Sequence, residues 1–423
     1  MRWAQAIRTM PALWLAVPVV LAAAWYATLL PSQDGYSVAA TAQGTATLAF
    51  IGSFCAIAAS WEGSRLRRAS LWRGPWVRRS ATIVFWCVAP AVIVGLIAVL
   101  AGVAVSLARS GGGVPDGRFL IVAALGLVAF GAIGFTLGVS LPFEIAGPLA
   151  IVGPLFWLTF TPAIDPVWLR HLTGMFRDCC LPSEDLATAP IVASSVVDVG
   201  LLIAAVIALT GAARRRRIAG VIAITSVAGA LGVNLVAGMG FAPTAPRSPA
   251  QLACAESGEL TVCIWPEHRA ILGQLVEVID AARPRWLAAG IVSPAMFTEA
   301  APSVAPRGAA ILSVPGEPVE NGELVAVVAR SLLPAFPDCP SGATGWMTAE
   351  YVEAWFEHVA GMPDAELARL HSQPFDPAFP PVLDIVHSVG MSPPAAQQAW
   401  LSRVLRITQA CDPWPIDDLN IGS

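Results

Sequence analysis

The stretch ATIVFWCVAPAVIVGLIAVLAGVAVSL, residues 81–107, indicates the class of fold because it runs for 27 residues without a charged side chain. An α-helix of that length rises about 40 Å, and the hydrocarbon core of a bilayer is roughly 30 Å thick. The whole chain has 423 residues, is 56% hydrophobic and only 13% charged, and has a mean hydropathy of +0.66. These values lie outside the usual range of soluble globular proteins, so the sequence predicts a membrane protein.

Other apolar stretches repeat this pattern through the first half of the chain. We predict an α-helical polytopic membrane protein with about seven transmembrane helices, near residues 11–30, 39–59, 81–107, 119–141, 145–163, 191–210 and 218–241. The first stretch also resembles a secretory signal peptide. Its apolar run is longer than the usual signal core and a second span follows at once, so we expect a retained anchor.

Charge divides the chain near residue 241. Residues 1–241 hold 16 arginines against nine acids, whereas residues 242–423 hold nine arginines against 20 acids. The Pro-rich segment GFAPTAPRSPAQ, residues 240–251, marks the change. We therefore predict a transmembrane domain over 1–241, a linker over 242–251, and a helix-dominated α+β domain over 252–423.

Arginine placement predicts the orientation, since positive residues in short loops stay in the cytoplasm. With the N-terminus inside, the cytoplasmic segments hold twelve arginines and the outer loops hold four. Seven spans then place the α+β domain outside the cell. All 25 basic residues are arginine, a bias typical of a GC-rich bacterial genome. We expect a multi-pass protein of the bacterial plasma membrane.

The segment WEGSRLRRASLWRGPWVRRS, residues 61–80, lies between the second and third predicted spans and carries six arginines, three tryptophans and one acid. Its tryptophans suit the membrane interface and its arginines attract anionic lipid. A short turn held at both ends by the membrane is poorly suited to a nucleic-acid groove, so we expect no nucleic-acid partner. Docking of a partner protein remains open on the residues alone.

The layout of residues 1–217 resembles the permease subunits of type-2 ABC exporters. Those permeases have six spans with both ends inside, a cytoplasmic helical turn between spans two and three that docks onto a separate ATPase, and outer re-entrant helices between spans five and six. In this chain the corresponding segments are WEGSRLRRASLWRGPW at 61–76 and DPVWLRHLTGMF at 165–176. The resemblance implies an ATPase-docking site, with the candidates Arg65, Arg67, Arg68 and Arg73.

The chain departs from that layout by adding a seventh span and the exported domain. It contains no GxxxxGK[ST] motif, so ATP hydrolysis would require the partner chain. We expect the lipid bilayer, a separate ABC ATPase, and a second permease-like subunit in a homodimer or heterodimer as partners.

One ionisable residue lies well inside a predicted span: Asp198, in VASSVVDVGLL. An intramembrane acid is costly and marks a candidate polar site. The alternative is a structural, water-accessible or hydrogen-bonded aspartate near the interface. A proton-driven carrier normally needs a relay of such groups, which counts against secondary transport.

The eight cysteines divide evenly between the two halves. In the exported half we favour disulfides between Cys254 and Cys263 and between Cys339 and Cys411, although three connectivities are possible. No CxxC pair is present, so we predict no metal site. We expect the adjacent Cys179 and Cys180 to bond to another loop or domain rather than to each other, because such a ring is strained.

The segment PEHRAILGQLVEVIDAARPRW, residues 266–286, predicts a helix that follows a strand, ELTVCIW. Its apolar face holds Leu272, Leu275, Val276, Ile279, Ala282 and Trp286. At its start we predict an exposed binding constellation of Trp265, Glu267, His268 and Arg269, with an ordinary helix start as the alternative.

No catalytic or cofactor motif accompanies the histidines of this half, at 268, 358, 371 and 387, so we expect solvated or locally hydrogen-bonded side chains. The leading hypothesis is a permease-like subunit of an ABC-type exporter, with an outer domain that binds or gates and no cofactor of its own. The alternative is a membrane-anchored exported domain that acts as a binding or sensor module or as a degenerate enzyme.

Overall fold

The chain divides into two compact units, Met1–Ala245 and Pro246–Ser423, so the division falls inside the predicted linker. The computed structural model describes residues 10–31, 35–69, 80–177, 179–210, 214–315, 321–334, 348–371 and 380–411. Each unit has its own buried core, and each is described by itself below.

The first unit is a helical bundle. Its helices are α1 Pro11–Trp14, α2 Ala16–Thr28, α3 Ser37–Thr45, α4 Leu48–Arg68, α5 Ser80–Arg109, α6 Gly117–Ser140, α7 Phe143–Thr159, α8 Thr188–Thr210 and α9 Arg214–Val236. Among the described residues six helical segments are long and apolar enough to cross a membrane, with α3 and α4 counted together over Ser37–Arg68. The helix α2 is a shorter apolar helix.

The first predicted span is interrupted. Pro18 has no N–H to donate to the carbonyl oxygen of Trp14, and the helix is broken at Leu15 between α1 and α2. The 13 residues of α2 rise about 20 Å, less than the hydrocarbon thickness.

Small residues bring α4 and α6 together along their length. Ala56 and Ser60 of α4 lie directly against Gly134 and Gly138 of α6, and a side chain at either glycine would meet the α4 backbone. Ser64 extends the contact by donating a hydrogen bond from Oγ to the Gly138 carbonyl oxygen at 3.3 Å. Such small-xxx-small spacing allows two membrane helices to approach to backbone contact.

Several connections meet at one end of the bundle. The Tyr36 hydroxyl donates to the Glu184 carbonyl oxygen, and the Arg118 guanidinium bridges Asp116 and Asp185. Two short strands, β1 Glu184–Leu186 and β2 Thr244–Pro246, pair there. Residues 165–176, which the resemblance implies to be an outer re-entrant helix, contain a 3₁₀ helix at Val167–Leu172 that packs against α8 and α9.

The expectation for the adjacent cysteines was wrong, because Cys179 and Cys180 are bonded to each other. The other two cysteines of this unit, Cys55 and Cys87, are free and lie on α4 and α5. No third cysteine of this unit lies outside the helices to offer another partner.

The second unit begins with a four-stranded sheet of β3 Ala253–Ser257, β4 Leu260–Ile264, β5 Met296–Thr298 and β6 Ala310–Ile311. The β3–β4 hairpin is antiparallel and turns at Gly258, whose φ of 59° favours glycine. The pairs β4–β5 and β5–β6 are parallel. A 3₁₀ turn at Pro266–Ile271 and the helix α10, Leu272–Ala288, form the crossover from β4 to β5.

Five further helices follow among the described residues of this unit: α11 Asn321–Arg330, α12 Ala349–Ala360, α13 Asp364–Leu370, α14 Val382–Gly390 and α15 Pro394–Ala410. Trp286 of α10 anchors the core beside the sheet, and Trp355 and Trp400 anchor a second core among the last helices. All three side chains are fully buried. The unit is therefore a helix-rich α+β fold.

Candidate functional site

The arginine segment begins as the last two turns of α4 and is not a loop from residue 61. Glu62 is buried, and one of its carboxylate oxygens accepts from Arg65 Nη1 at 3.1 Å, an i,i+3 ion pair. Trp61 packs edge-on against Phe143 at the start of α7. The sequence places a loop here because its hydropathy is low, whereas tertiary packing keeps the segment helical.

The candidate docking arginines therefore differ in availability. Arg65 is held by Glu62, whereas Arg67 and Arg68 are exposed. The Arg68 guanidinium lies 5.6 Å from the centre of the Trp61 ring. This cation–π contact restrains the Arg68 side chain but does not neutralise its charge. Arg73 lies outside the described residues. The exposed cations at the end of α4 are Arg67 and Arg68.

Asp198 is 3% exposed and lies on α8 where α8 packs against α6. A Cβ placed on Gly126 of α6 would be 3.5 Å from Asp198 Oδ2, so the carboxyl group faces a side-chain-free part of that helix. Within the described ranges no group donates a hydrogen bond to it. The carboxyl group is therefore buried between α6 and α8, and its role as an intramembrane polar site stays a prediction.

A cavity of about 120 Å³ lies near the 3₁₀ helix of the first unit. Three basic residues, Arg170, His171 and Arg177, contribute to its lining. Burial lowers the pKa of His171, partly offset by a hydrogen bond between Nε2 and the Gly240 carbonyl oxygen at 2.9 Å. The lining favours an anionic over a cationic guest.

In the second unit, the exposure predicted for the constellation Trp265, Glu267, His268 and Arg269 is wrong for Trp265 and His268. Trp265 is 0% and His268 is 6% exposed, and Arg269 is the exposed member. Glu267 is bound in an ion pair with Arg247 at 3.0 Å. Burial extends through this turn because Trp265 directly follows the buried strand β4.

A residue that sequence reasoning missed, Glu299, organises this turn. One carboxylate oxygen accepts from the Trp265 backbone N–H, and the other lies 2.7 Å from His268 Nδ1. Trp265 follows β4 and Glu299 follows β5, so the carboxyl ends of two parallel strands bring them together. The sequence predicted the strand β4, but it predicted neither β5 nor the pairing of the two strands.

Three other residues from three different helices form a cluster in this unit. His358 lies in the last turn of α12, Asp364 is the first residue of α13, and His387 lies in the last turn of α14. One ligand-type atom from each lies within 4.8 Å of the other two. Burial lowers the pKa of His358, against the opposing effect of Asp364. The sequence predicted no metal site, yet this arrangement offers two imidazoles and a carboxylate to a single point.

The remaining histidine, His371, is structural. Its Nε2 lies 2.8 Å from Glu357 Oε2 and its Nδ1 lies 3.5 Å from Glu350. Burial acts to lower its pKa, but the hydrogen bond and charge of Glu357 outweigh it and raise the pKa above 6.5. Arg330 and Glu353 are the other charged groups near Glu357. This histidine fits the expectation of local hydrogen bonding.

The cysteines of the second unit are oxidised where the structure describes them. Cys254 and Cys263 are directly opposite in the β3–β4 hairpin and form a disulfide. Cys411 is also disulfide-bonded, while its predicted partner Cys339 lies in a segment that is not described.

The geometry thus defines a helical protein with several potential membrane spans, followed by an α+β unit with a His–Asp–His cluster. Residues 262–411, from within β4 to the end of α15, match a family model described as a domain of unknown function, DUF7224. No curated protein and no solved structure matches the chain. The matched residues include Glu299 and the His–Asp–His cluster, and they lie wholly in the second unit.

Proposed function

We propose that this chain is a permease-like subunit of an ABC-type exporter and works with a separate ATPase. The observation that carries the proposal is the course of α4. This helix runs from the middle of the bundle to the exposed Arg67 and Arg68. A partner bound at those arginines would act on a helix that is continuous with the bundle core.

Such coupling requires a rigid connection, and the packing of α4 supplies one. Its last turns are held by backbone contact with α6 at Gly63 and by the Ser64 hydrogen bond to Gly138. A movement of the arginine end would therefore be passed to α6 rather than absorbed by bending. In the same proposal the second unit lies outside the cell, as the arginine asymmetry favours, and binds or gates what the bundle moves.

The test uses the full-length chain in native membranes, with a photoactivatable cross-linking residue at position 67. We expect a cross-link to a polypeptide that carries a Walker motif, identified by mass spectrometry. The double variant Arg67→Gln/Arg68→Gln is expected to lose co-purification of that ATPase while membrane insertion persists.

The matched control is Arg214→Gln/Arg215→Gln, which removes the same charge from exposed arginines that we predict on the same side of the membrane. It should retain the ATPase. If both double variants lose the partner equally, general electrostatics explains the association and specific docking is wrong. If the purified chain has no ATPase partner, the permease proposal fails.

The His–Asp–His cluster favours a second candidate function, an exported binding or sensor module with the bundle as its anchor. Under that proposal Arg67→Gln/Arg68→Gln has no effect on any partner, whereas changes in the cluster alter the response of the second unit to its ligand.

A further inference from the structure

The turn at the end of α12 brings two members of the His–Asp–His cluster, His358 and Asp364, close together. Gly361 caps α12 in a left-handed conformation, with φ of 100°, and the chain then reverses over Met362 and Pro363 into α13. This reversal returns Asp364 to the level of His358, in the last turn of α12. The packing of α12 against α14 supplies His387 from the other side.

The distances suit a tetrahedral ion. Zinc bonds of about 2.0–2.2 Å to nitrogen and oxygen place neighbouring ligand atoms roughly 3.3–3.5 Å apart. His387 Nε2 lies 3.2 Å from Asp364 Oδ2, and His358 Nδ1 lies 3.8 Å from Asp364 Oδ1. The two imidazoles face different oxygens of the carboxylate, so metal binding requires Asp364 to rotate and bring one oxygen to both; its side chain is 61% accessible and has room to do so.

The state of His358 distinguishes the cluster from an ordinary ion pair. Its Nδ1 is shielded from solvent and has no hydrogen-bond partner among the described residues. The other ring nitrogen, Nε2, lies against Gly390, where an added Cβ would be only 3.3 Å away. The Nε2 side of the ring therefore packs against Gly390, and the unpartnered Nδ1 lies on the side of Asp364.

The other two histidines of this unit provide a comparison. His268 and His371 each have a carboxylate oxygen within 2.8 Å of a ring nitrogen. At the cluster, two imidazoles instead share one carboxylate at longer distances.

We propose that the second unit binds a divalent transition-metal ion of the zinc class through His358 Nδ1, His387 Nε2 and Asp364. Two imidazoles favour zinc-like ions, because Mg²⁺ and Ca²⁺ prefer oxygen ligands. Three protein ligands leave a further coordination position, and the exposure of Asp364 leaves it open to water or to a small ligand. This inference rests on the second unit alone and needs no ATPase partner.

The experiment uses purified full-length protein, treated with a chelator and titrated with ZnCl₂ by calorimetry and with CoCl₂ by visible absorption. We expect a single equivalent of Zn²⁺ to bind and Co²⁺ to give the absorption of a four-coordinate nitrogen and oxygen site. His387→Gln should lose Zn²⁺ binding at concentrations that saturate the wild type, and Asp364→Asn should weaken it.

The matched control is Asp384→Asn, which removes an exposed acid from the same helix as His387 and should leave binding unchanged. Should His387→Gln fail to fold, the exposed Asp364→Asn decides the question, because it removes no buried group. The proposal is overturned if the wild type binds no Zn²⁺, or if Asp364→Asn binds as tightly as Asp384→Asn. These results are independent of ATPase association, so the two proposals can fail separately.

Discussion

Adding a single methyl group at Gly63 tests the contact between α4 and α6. A Cβ at Gly63 would lie 2.5 Å from the carbonyl oxygen of Phe135 and 3.0 Å from the backbone nitrogen of Val139. An ordinary contact begins at 3.4 Å, so the helices would have to separate locally by about 0.9 Å. Both neighbours are backbone atoms, and no side chain can rotate away. We expect Gly63→Ala to cost about 1–3 kcal/mol through overpacking.

The control is Gly153→Ala on α7, where an added Cβ meets nothing within 4 Å. Both variants replace glycine by alanine in a helix, so the gain in helix propensity, up to about 1 kcal/mol, cancels between them. Unfolding of the full-length chain in mixed micelles, followed by tryptophan fluorescence, gives the difference. Equal stability of the two variants would refute the close packing and, with it, the rigid connection proposed for α4.

Three further predictions concern charge and cross-links. Cys254→Ser should lower the free energy of unfolding of the second unit by about 2.7 kcal/mol, from the loop-closure entropy for a separation of nine residues; an unchanged midpoint would contradict it. The stability advantage of wild type over His371→Gln should be full below the unfolded pKa near 6.5. It should disappear as pH rises through the raised folded pKa, as measured by paired thermal melts; a constant difference would exclude a charged His371. Asp198→Leu should stabilise the bundle, since an intramembrane acid costs about 2.5–3.5 kcal/mol, and a less stable variant would indicate an unrecognised partner for Asp198.

The membrane half was largely readable from the sequence, since hydropathy alone predicts where helices can cross a bilayer. The continuation of α4 to Arg68 could not be predicted from hydropathy. WEGSRLRR is polar, yet Glu62 is 7% exposed, because Arg65 pairs with it and the neighbouring Gly63 packs on α6. Hydropathy gives each residue a fixed value and cannot register a charge neutralised by its neighbour.

In the second unit, periodicity predicted the α10 helix and its buried face. Leu275, Ile279, Ala282 and Trp286 are all buried as expected, although the helix begins at Leu272 after a 3₁₀ turn. The site residues were harder to predict because they come from separate elements. Glu299 joins His268 only through the parallel pairing of β4 with β5.

The His–Asp–His cluster shows the same difficulty in a stronger form. Its ligands are spread over residues 358 to 387, so no short motif contains them. The helix that carries His387, α14, was not predicted because it has only nine residues and lies between Pro-rich segments. Its apolar positions at 382, 385, 386 and 389 follow helical spacing and were the available signal.

The position of the Cys254–Cys263 bond has a mechanical consequence. It lies in the first strand of the second unit, eight residues after the chain leaves the first. Without it, a pull on that strand would be resisted by the hydrogen bonds to β4 and by packing against α10. With the bond in place, tension applied to the chain that precedes β3 would pass through a covalent link into β4, and β3 could not be peeled away from it. The second unit is therefore joined to the preceding chain through a covalently closed hairpin.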